Sequence, residues 1–136
     1  MTAAEGGRLP IAGDDDVVRV RQSVRAAAQR AKLSLVDQTK LVTATSELAR
    51  NTLIYGGGGH AEVQIVEQDG RQGVRALFVD TGPGIPDIGL AMTDGWTSGN
   101  GLGLGLSGAR RLVDEFDLDT GVGTGTTVTV VKWRRR

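Results

Sequence analysis

A carboxylate and a carboxamide lie four residues apart in the segment Ser46-Glu47-Leu48-Ala49-Arg50-Asn51. On a helix, Glu47 and Asn51 project from the same face. Asn51 offers a neutral carbonyl oxygen to Mg²⁺, which takes one or two protein oxygens together with substrate phosphates. Glu47 is placed to act as a general base on a hydroxyl or water that approaches a γ-phosphate. Taken alone, such a pair is more often an exposed polar face with a local hydrogen bond.

A second candidate is Asp80, which directly follows the apolar run Ala76-Leu77-Phe78-Val79. This pattern predicts a buried strand that carries the carboxylate at its exposed end, where it can accept a hydrogen bond from an exocyclic amine such as the adenine 6-amino group. Gly82 and Gly84 follow at once, and glycine lets a flat ring approach the backbone closely. An ordinary turn explains the same residues when they are taken alone.

A third segment is rich in glycine and precedes a predicted helix: Gly101, Leu102, Gly103, Leu104 and Gly105. Unpaired N–H groups at a helix start favour phosphate binding, although a hinge without ligand has the same composition. The G-x-G-x-x-G match within it lacks a preceding strand and a later acidic residue, which argues against a dinucleotide fold. No Walker A sequence occurs. The last strand opens with Gly123-Thr124-Gly125-Thr126. The hydroxyl of Thr126 could contact a nucleotide base through Asp80 or through a water.

Three helices are predicted to position these segments. Asp14 to Asp16 supply a cap and first-turn acids for a helix that runs to about Lys32. A second helix runs from Ser34 to Tyr55 and a third from Leu104 to Glu115. Apolar residues at helical spacing mark the buried faces of the first two helices: Val17, Val20, Val24 and Ala28 in the first, and Val36, Leu41, Ala44, Leu48 and Thr52 in the second.

The strands are predicted from alternation and turn residues. They span 8–12 at an edge, 61–68, 73–79, 116–120 and 126–133, with a hairpin at Asp69-Gly70 and a glycine-rich stretch over 81–101 that is functional or mobile. This order predicts an α/β two-layer sandwich with three helices on one face of a mixed, mostly antiparallel sheet. We expect one domain over 8–133, a flexible tail over 1–7 and a solvated basic tail over 134–136.

Composition limits the function classes. The chain has 136 residues, 16 basic and 16 acidic residues, and no cysteine, so no net field draws it to nucleic acid or to a membrane. No apolar run approaches the roughly 20 residues of a membrane span, and residues 1–10 do not resemble a secretory signal. A cytoplasmic protein is therefore expected. Much of the glycine, 21 residues in all, lies in clusters, which indicates positional roles.

Together and in this order, the segments resemble the sequence boxes of the GHKL ATPase/kinase superfamily. Glu47 with Asn51 resembles the N box, Asp80-x-Gly82-x-Gly84 the G1 box, Gly101 to Gly105 the G2 box, and Gly123-x-Gly125-Thr126 the last box. The resemblance covers residues 10 to 133. Within the superfamily the chain is similar to the small bacterial anti-sigma-factor serine kinases, in particular the stressosome switch kinases, through segments 46–51, 80–88 and 111–116.

The resemblance implies a Bergerat-type fold that binds ATP and Mg²⁺. It implies that Asn51 holds Mg²⁺, that Glu47 activates the acceptor hydroxyl and that Asp80 binds adenine with support from Thr126. Residues 88–103 would form a lid over the nucleotide. His60, the one histidine, is expected in a loop without a catalytic role, and no hairpin with a phosphoacceptor histidine is present.

The implied activity is phosphorylation of a serine or threonine on a STAS-domain scaffold or antagonist protein, in a partner-switching pathway. The released kinase is expected to activate a partner phosphatase, and a homodimer is compatible with the sequence. A nucleotide-gated module that sequesters a sigma factor, with kinase activity secondary, has the same boxes, so the boxes do not separate the two. An ATPase fragment of a larger machine is a weaker alternative.

Overall fold

The chain folds into helices and strands that form two layers. The structure is a computed structural model that describes residues 8–82, 105–121, 123 and 125–135. In chain order its elements are β1 (Arg8–Ile11), α1 (Asp14–Arg30), α2 (Leu35–Ile54), β2 (Gly59–Gln68), β3 (Arg71–Asp80), α3 (Gly105–Arg111), β4 (Glu115–Gly121) and β5 (Gly125–Trp133). Within these ranges no helix combines the length and the apolar character needed to cross a membrane.

The strands form a five-stranded sheet in the order β1-β2-β3-β5-β4. The expected two-layer sandwich is confirmed. The sheet was predicted to be mixed, but each of the strand pairings in the described ranges is antiparallel. Because side chains alternate along a strand, Ala76 and Phe78 of β3 and Val128 and Val130 of β5 share one face. These residues pack in the core together with the buried sides of α1 and α2.

Helix α1 has the predicted buried stripe, since Val17, Val20, Val24 and Ala28 are all buried. Its N-cap differs from the prediction: Gly13 is the capping residue, and the three aspartates belong to the first turn. The Asp16 carboxylate reaches back and accepts hydrogen bonds from the N–H groups of Ala12, at 2.8 Å, and Gly13, at 3.2 Å. The hydrogen bond from Ala12 lowers the pKa of Asp16 below its ordinary value.

Helix α2 starts and ends as predicted, with the Ser34 hydroxyl capping its first turn through the Asp37 N–H. Four of its five predicted buried residues are buried, but Val36 is 62% exposed. At about 100° per residue, Val36 lies more than about 100° around the helix axis from Leu41 and Leu48. The prediction that Val36 belongs to the buried face was therefore wrong. The buried hydroxyls of Thr45 and Thr52 donate to carbonyls one turn earlier, which lets polar residues lie inside.

Strands β2 and β3 extend further than predicted and meet at the expected hairpin. Asp69 (φ 56°) and Gly70 (φ 74°) both have positive φ, as a tight turn that matches the twist of the strands requires. His60, expected in a loop, pairs with Val79 inside the sheet. Its Nε2 lies 3.5 Å from the Glu62 carboxylate, on the sheet face that the helices do not cover.

Helix α3 is shorter than predicted, because it ends at Arg111 instead of Glu115. The next residues are bound to the sheet. The Asp114 N–H donates to the Val131 carbonyl at 2.9 Å, and the Trp133 N–H donates to the Asp114 carboxylate at 2.7 Å. These bonds to β5 start strand β4 at Glu115, where helical spacing alone suggested a continuing helix.

A buried charge cluster joins the start of α2 to the end of β5. The ammonium of Lys132, whose side chain is 4% exposed, lies 3.6 Å from Asp37 and 3.7 Å from Asp114. The Arg135 guanidinium contacts the same two carboxylates, at 3.5 and 2.9 Å. Arg135 lies in the segment expected to be a solvated tail, so at least this arginine is attached to the domain.

Replacing Lys132 with methionine should test how strongly this cluster stabilises the fold. Lys132→Met keeps most of the stem and removes the charge, leaving two carboxylates with one cation. We expect the free energy of unfolding to fall by about 3 kcal/mol, because breaking a buried ion pair leaves an uncompensated charge. Urea denaturation measures it, with exposed Lys40→Met as control. Equal stability of the two variants would contradict a structural role for the cluster.

Candidate active site

The end of strand β3 brings together several of the residues predicted from the sequence. Asp80 is the last residue of β3, and it lies opposite Gly59 of β2 and Thr126 of β5. Thr120 of β4 lies opposite Thr126 in turn. Directly opposite residues in antiparallel strands point to the same face, and this row belongs to the face that the helices cover. Asp80 therefore points toward the helical layer.

The Asp80 carboxylate has one oxygen engaged. Oδ1 accepts a hydrogen bond of 2.9 Å from the Gly82 N–H, which turns the chain sharply after the strand. Oδ2 accepts no hydrogen bond from any residue in the described ranges. The side chain is half-buried, so this oxygen is an acceptor held in a fixed direction at the border between the sheet and α2.

Glycines from other segments pack directly against Asp80. A Cβ added to Gly56 would lie 2.6 Å from Oδ2, and one added to Gly82 would lie 2.7 Å from the Gly56 carbonyl oxygen. Real Cβ atoms do not approach so closely. Gly125, at φ +101°, lies against the Asp80 carbonyl oxygen. Backbone atoms of Gly56, Gly82 and Gly125 therefore pack directly against Asp80, where a side chain on any of the three would collide.

The run Gly56 to Gly59 has more than the helix-ending role that the sequence suggested. Gly57 (φ 74°) and Gly58 (φ 102°) adopt the left-handed conformation, which costs glycine nothing. Gly56 and Gly59 are needed for close approach, because a side chain on either would overlap Asp80 or the Val79 carbonyl. Sequence reasoning missed Gly56 and Gly59 as site residues, and their signal was the run of four glycines itself.

Helix α2 connects this cluster to Glu47 and Asn51, which are both half-buried. The backbone carbonyl of Asn51 accepts hydrogen bonds from the N–H groups of Tyr55, at 2.9 Å, and Gly56, at 3.2 Å. One turn of helix thus runs from Asn51 to the glycine that touches Asp80. The structure places the predicted carboxylate–carboxamide pair and the predicted adenine-binding carboxylate on adjoining elements.

The residues present fit a magnesium ion held by Asn51. Its side-chain amide has no hydrogen-bond partner in the part of the chain that the structure describes. The side-chain oxygen, Oδ1, is therefore available as a ligand. A single neutral protein oxygen suits Mg²⁺, which keeps waters and binds substrate phosphates. Groups of three or more acidic, histidine or cysteine side chains that could cage a metal do not occur in the described ranges.

The other predicted site residues are placed as follows. Thr126 lies beside Asp80 in the sheet. Its hydroxyl lies 2.9 Å from the Thr120 hydroxyl, and the Thr126 hydroxyl makes no hydrogen bond to the Asp80 carboxylate. Gly105 is the buried first residue of α3, with φ +71°. The remaining ones lie outside the described residues: Gly84, Gly101, Leu102, Gly103 and Leu104.

The chain belongs to a family that the fold and this site define. Residues 36–136 match the model of the histidine kinase-, DNA gyrase B- and HSP90-like ATPases, so the chain is a member of that ATPase family, as the sequence boxes predicted.

A curated relative narrows this class. The chain is 43% identical over 120 residues to the serine/threonine-protein kinase RsbT of Bacillus subtilis, across 88% of this chain and 90% of the relative. This similarity supports an enzyme of the serine/threonine-protein kinase class. The fold also matches the structure of the RsbU and RsbW domains of Rv1364c from Mycobacterium tuberculosis, with a TM-score of 0.62 and 21% identity. That match covers 95% of this chain but 32% of the larger one, and it bears on the fold alone.

Adding one methyl group at Gly56 should disturb the candidate site. In Gly56→Ala the new Cβ meets the Asp80 carboxylate, so the carboxylate must turn away from its present direction. We expect the affinity for Mg-ATP, measured by titration calorimetry, to fall about 10-fold, equivalent to about 1.4 kcal/mol.

Gly13→Ala is the matched control, because no atom lies within 4 Å of a Cβ added there. Its affinity for Mg-ATP should equal that of the unaltered chain. Equal affinities in all three proteins would show that the contact between Gly56 and Asp80 does not shape the nucleotide site.

Proposed function

We propose that this protein is a Mg-ATP-dependent kinase that phosphorylates a serine or threonine of a STAS-domain protein in a partner-switching pathway. The observation that carries the proposal is the contact of Gly56, just after α2, with Asp80 at the end of β3, because α2 is the helix that carries Glu47 and Asn51. The similarity to RsbT over most of the chain supports the kinase class.

In this proposal Asp80 recognises adenine. Its Oδ2 accepts a hydrogen bond from the 6-amino group, a role for which a carboxylate held by the Gly82 N–H is well suited. Guanine carries a carbonyl oxygen at that position, which would repel the carboxylate, so the site selects adenine. Gly56 and Gly82 contribute by letting the backbone pack closely enough to hold the carboxylate in this direction.

At the other end of the nucleotide, Asn51 holds Mg²⁺ and the predicted glycine cradle of Gly101 to Gly105 binds phosphate. When bound, Mg²⁺ neutralises charge on the phosphates. Glu47, one turn before Asn51, accepts the proton of the acceptor hydroxyl while the hydroxyl oxygen attacks the γ-phosphorus. The bond from that phosphorus to the bridging oxygen breaks, and ADP leaves. Phosphoryl transfer depends mainly on such positioning and charge neutralisation.

We further propose that phosphorylation releases the kinase from its STAS-domain partner to activate a phosphatase. The alternative, a nucleotide-gated module that sequesters a sigma factor, needs the nucleotide site but does not need Glu47. An assay with radiolabelled Mg-ATP and purified STAS-domain proteins separates the two. Label on a partner serine or threonine supports the kinase, whereas tight nucleotide binding without any transfer supports the sequestering module.

Removing the Glu47 carboxylate should stop transfer without loss of nucleotide. For Glu47→Ala we expect the affinity for Mg-ATP to change less than about 3-fold, while the rate of transfer falls at least about 100-fold, as is typical when a general base is lost. Calorimetry and the radiolabel assay measure the two quantities. A variant that still transfers at half the original rate would remove Glu47 from this role.

The role of Asn51 can be separated from general damage to the fold by varying the metal. With Mg²⁺ present, Asn51→Ala should bind ATP at least about 10-fold more weakly than the unaltered chain. With Mg²⁺ removed by a chelator, the two proteins should bind ATP equally, because the Asn51 side chain then has no metal ion to hold. A difference that persists without Mg²⁺ would assign Asn51 another role.

A further inference from the structure

The exposed side of α2 next to Glu47 carries an apolar patch. Ile54 is 57% exposed and Tyr55 is 38% exposed, and Arg50 is exposed one turn before Ile54. We call these three residues the α2 rim. A large aliphatic side chain in water gains nothing for the fold, since its burial would be worth about 1.5–3 kcal/mol.

Helix geometry aligns the α2 rim with the proposed base. Ile54 follows Glu47 by two turns, at about the same angle around the axis and about 10 Å further along. Asn51, which carries the metal in the proposed function, lies on one side of Glu47. Arg50 lies on the other side, about 100° around the axis from Asn51. A hydroxyl that approaches Glu47 from solvent therefore arrives over Arg50 and Ile54.

The charge of Arg50 has no counterpart inside the described part of the protein. No salt bridge or hydrogen bond joins its guanidinium to another described residue, and its side chain is exposed. An exposed cation beside an apolar side chain complements a surface that offers a carboxylate next to an apolar residue. Arginine is also among the residues that most often dominate protein interfaces.

We propose that the α2 rim is the docking surface for the acceptor protein. The partner it fits is a folded protein whose acceptor serine or threonine is flanked by an apolar side chain that covers Ile54 and by an acidic side chain that pairs with Arg50. This inference rests on the proposed kinase function and adds the surface through which that function selects its substrate.

The test uses Ile54→Ser and Arg50→Glu in the full chain, with a STAS-domain protein that the unaltered chain phosphorylates. Val36→Ser is the matched control, because Val36 is also exposed, at 62%, on the same side of α2 but about 27 Å from Ile54. Transfer is measured against acceptor concentration at saturating Mg-ATP, and nucleotide affinity is measured separately.

We expect the KM for the acceptor to rise at least about 10-fold in both rim variants, with unchanged affinity for Mg-ATP and with Val36→Ser unaffected. Reversing the charge of the partner's acidic residue should restore the activity of Arg50→Glu. An unchanged KM in both rim variants would overturn the proposal while leaving the kinase function intact. So would a loss confined to self-association in sedimentation, which would assign the rim to a second copy of the chain. Failure of the unaltered chain to phosphorylate any STAS-domain protein would instead overturn the proposed function.

Discussion

The contact between the Asp80 carboxylate and the backbone of Gly56 is the constraint on which the site depends. It sets the end of α2 against the end of β3 at a distance that no side chain at position 56 would allow. Gly82 closes the same contact from the other direction, through its N–H on Oδ1 and its close approach to Gly56. The carboxylate is thereby aimed by backbone atoms, which have little freedom to move.

Helix α2 is held at both ends by different physical means. At its start, Asp37 belongs to a buried cluster with Lys132, Asp114 and Arg135, where opposite charges compensate for lost solvation. At its end, the helix abuts Asp80 through close packing of glycines. Between the two anchors, the hydroxyls of Thr45 and Thr52 satisfy themselves on the helix backbone. Glu47 and Asn51 are therefore carried by a rod of about 30 Å that is fixed relative to the sheet.

Local patterns predicted most of the fold. Alternation in β2 and the apolar run before Asp80 identified the strands, and the turn at Asp69-Gly70 followed from residues that tolerate positive φ. The features that sequence reasoning missed depend on contacts between distant residues. The end of α3 follows from bonds of Asp114 to β5, and the attachment of Arg135 follows from acids on α2 and before β4. The close approach of Gly56 to Asp80 spans 24 positions of sequence, so no local pattern could reveal it.

The single turn between Asn51 and Gly56 also fixes an angular phase. Because each residue of a helix turns the chain by about 100°, inserting or deleting one residue in this turn would swing Glu47 and Asn51 away from Asp80 together, even with every residue type unchanged. The outward side chains of this turn, Ile54 and Tyr55, do not set this phase, which depends on the number of residues. The number of residues at this point is therefore a physical constraint of its own, because the helix fixes both the distance and the direction of Glu47 and Asn51 relative to its end.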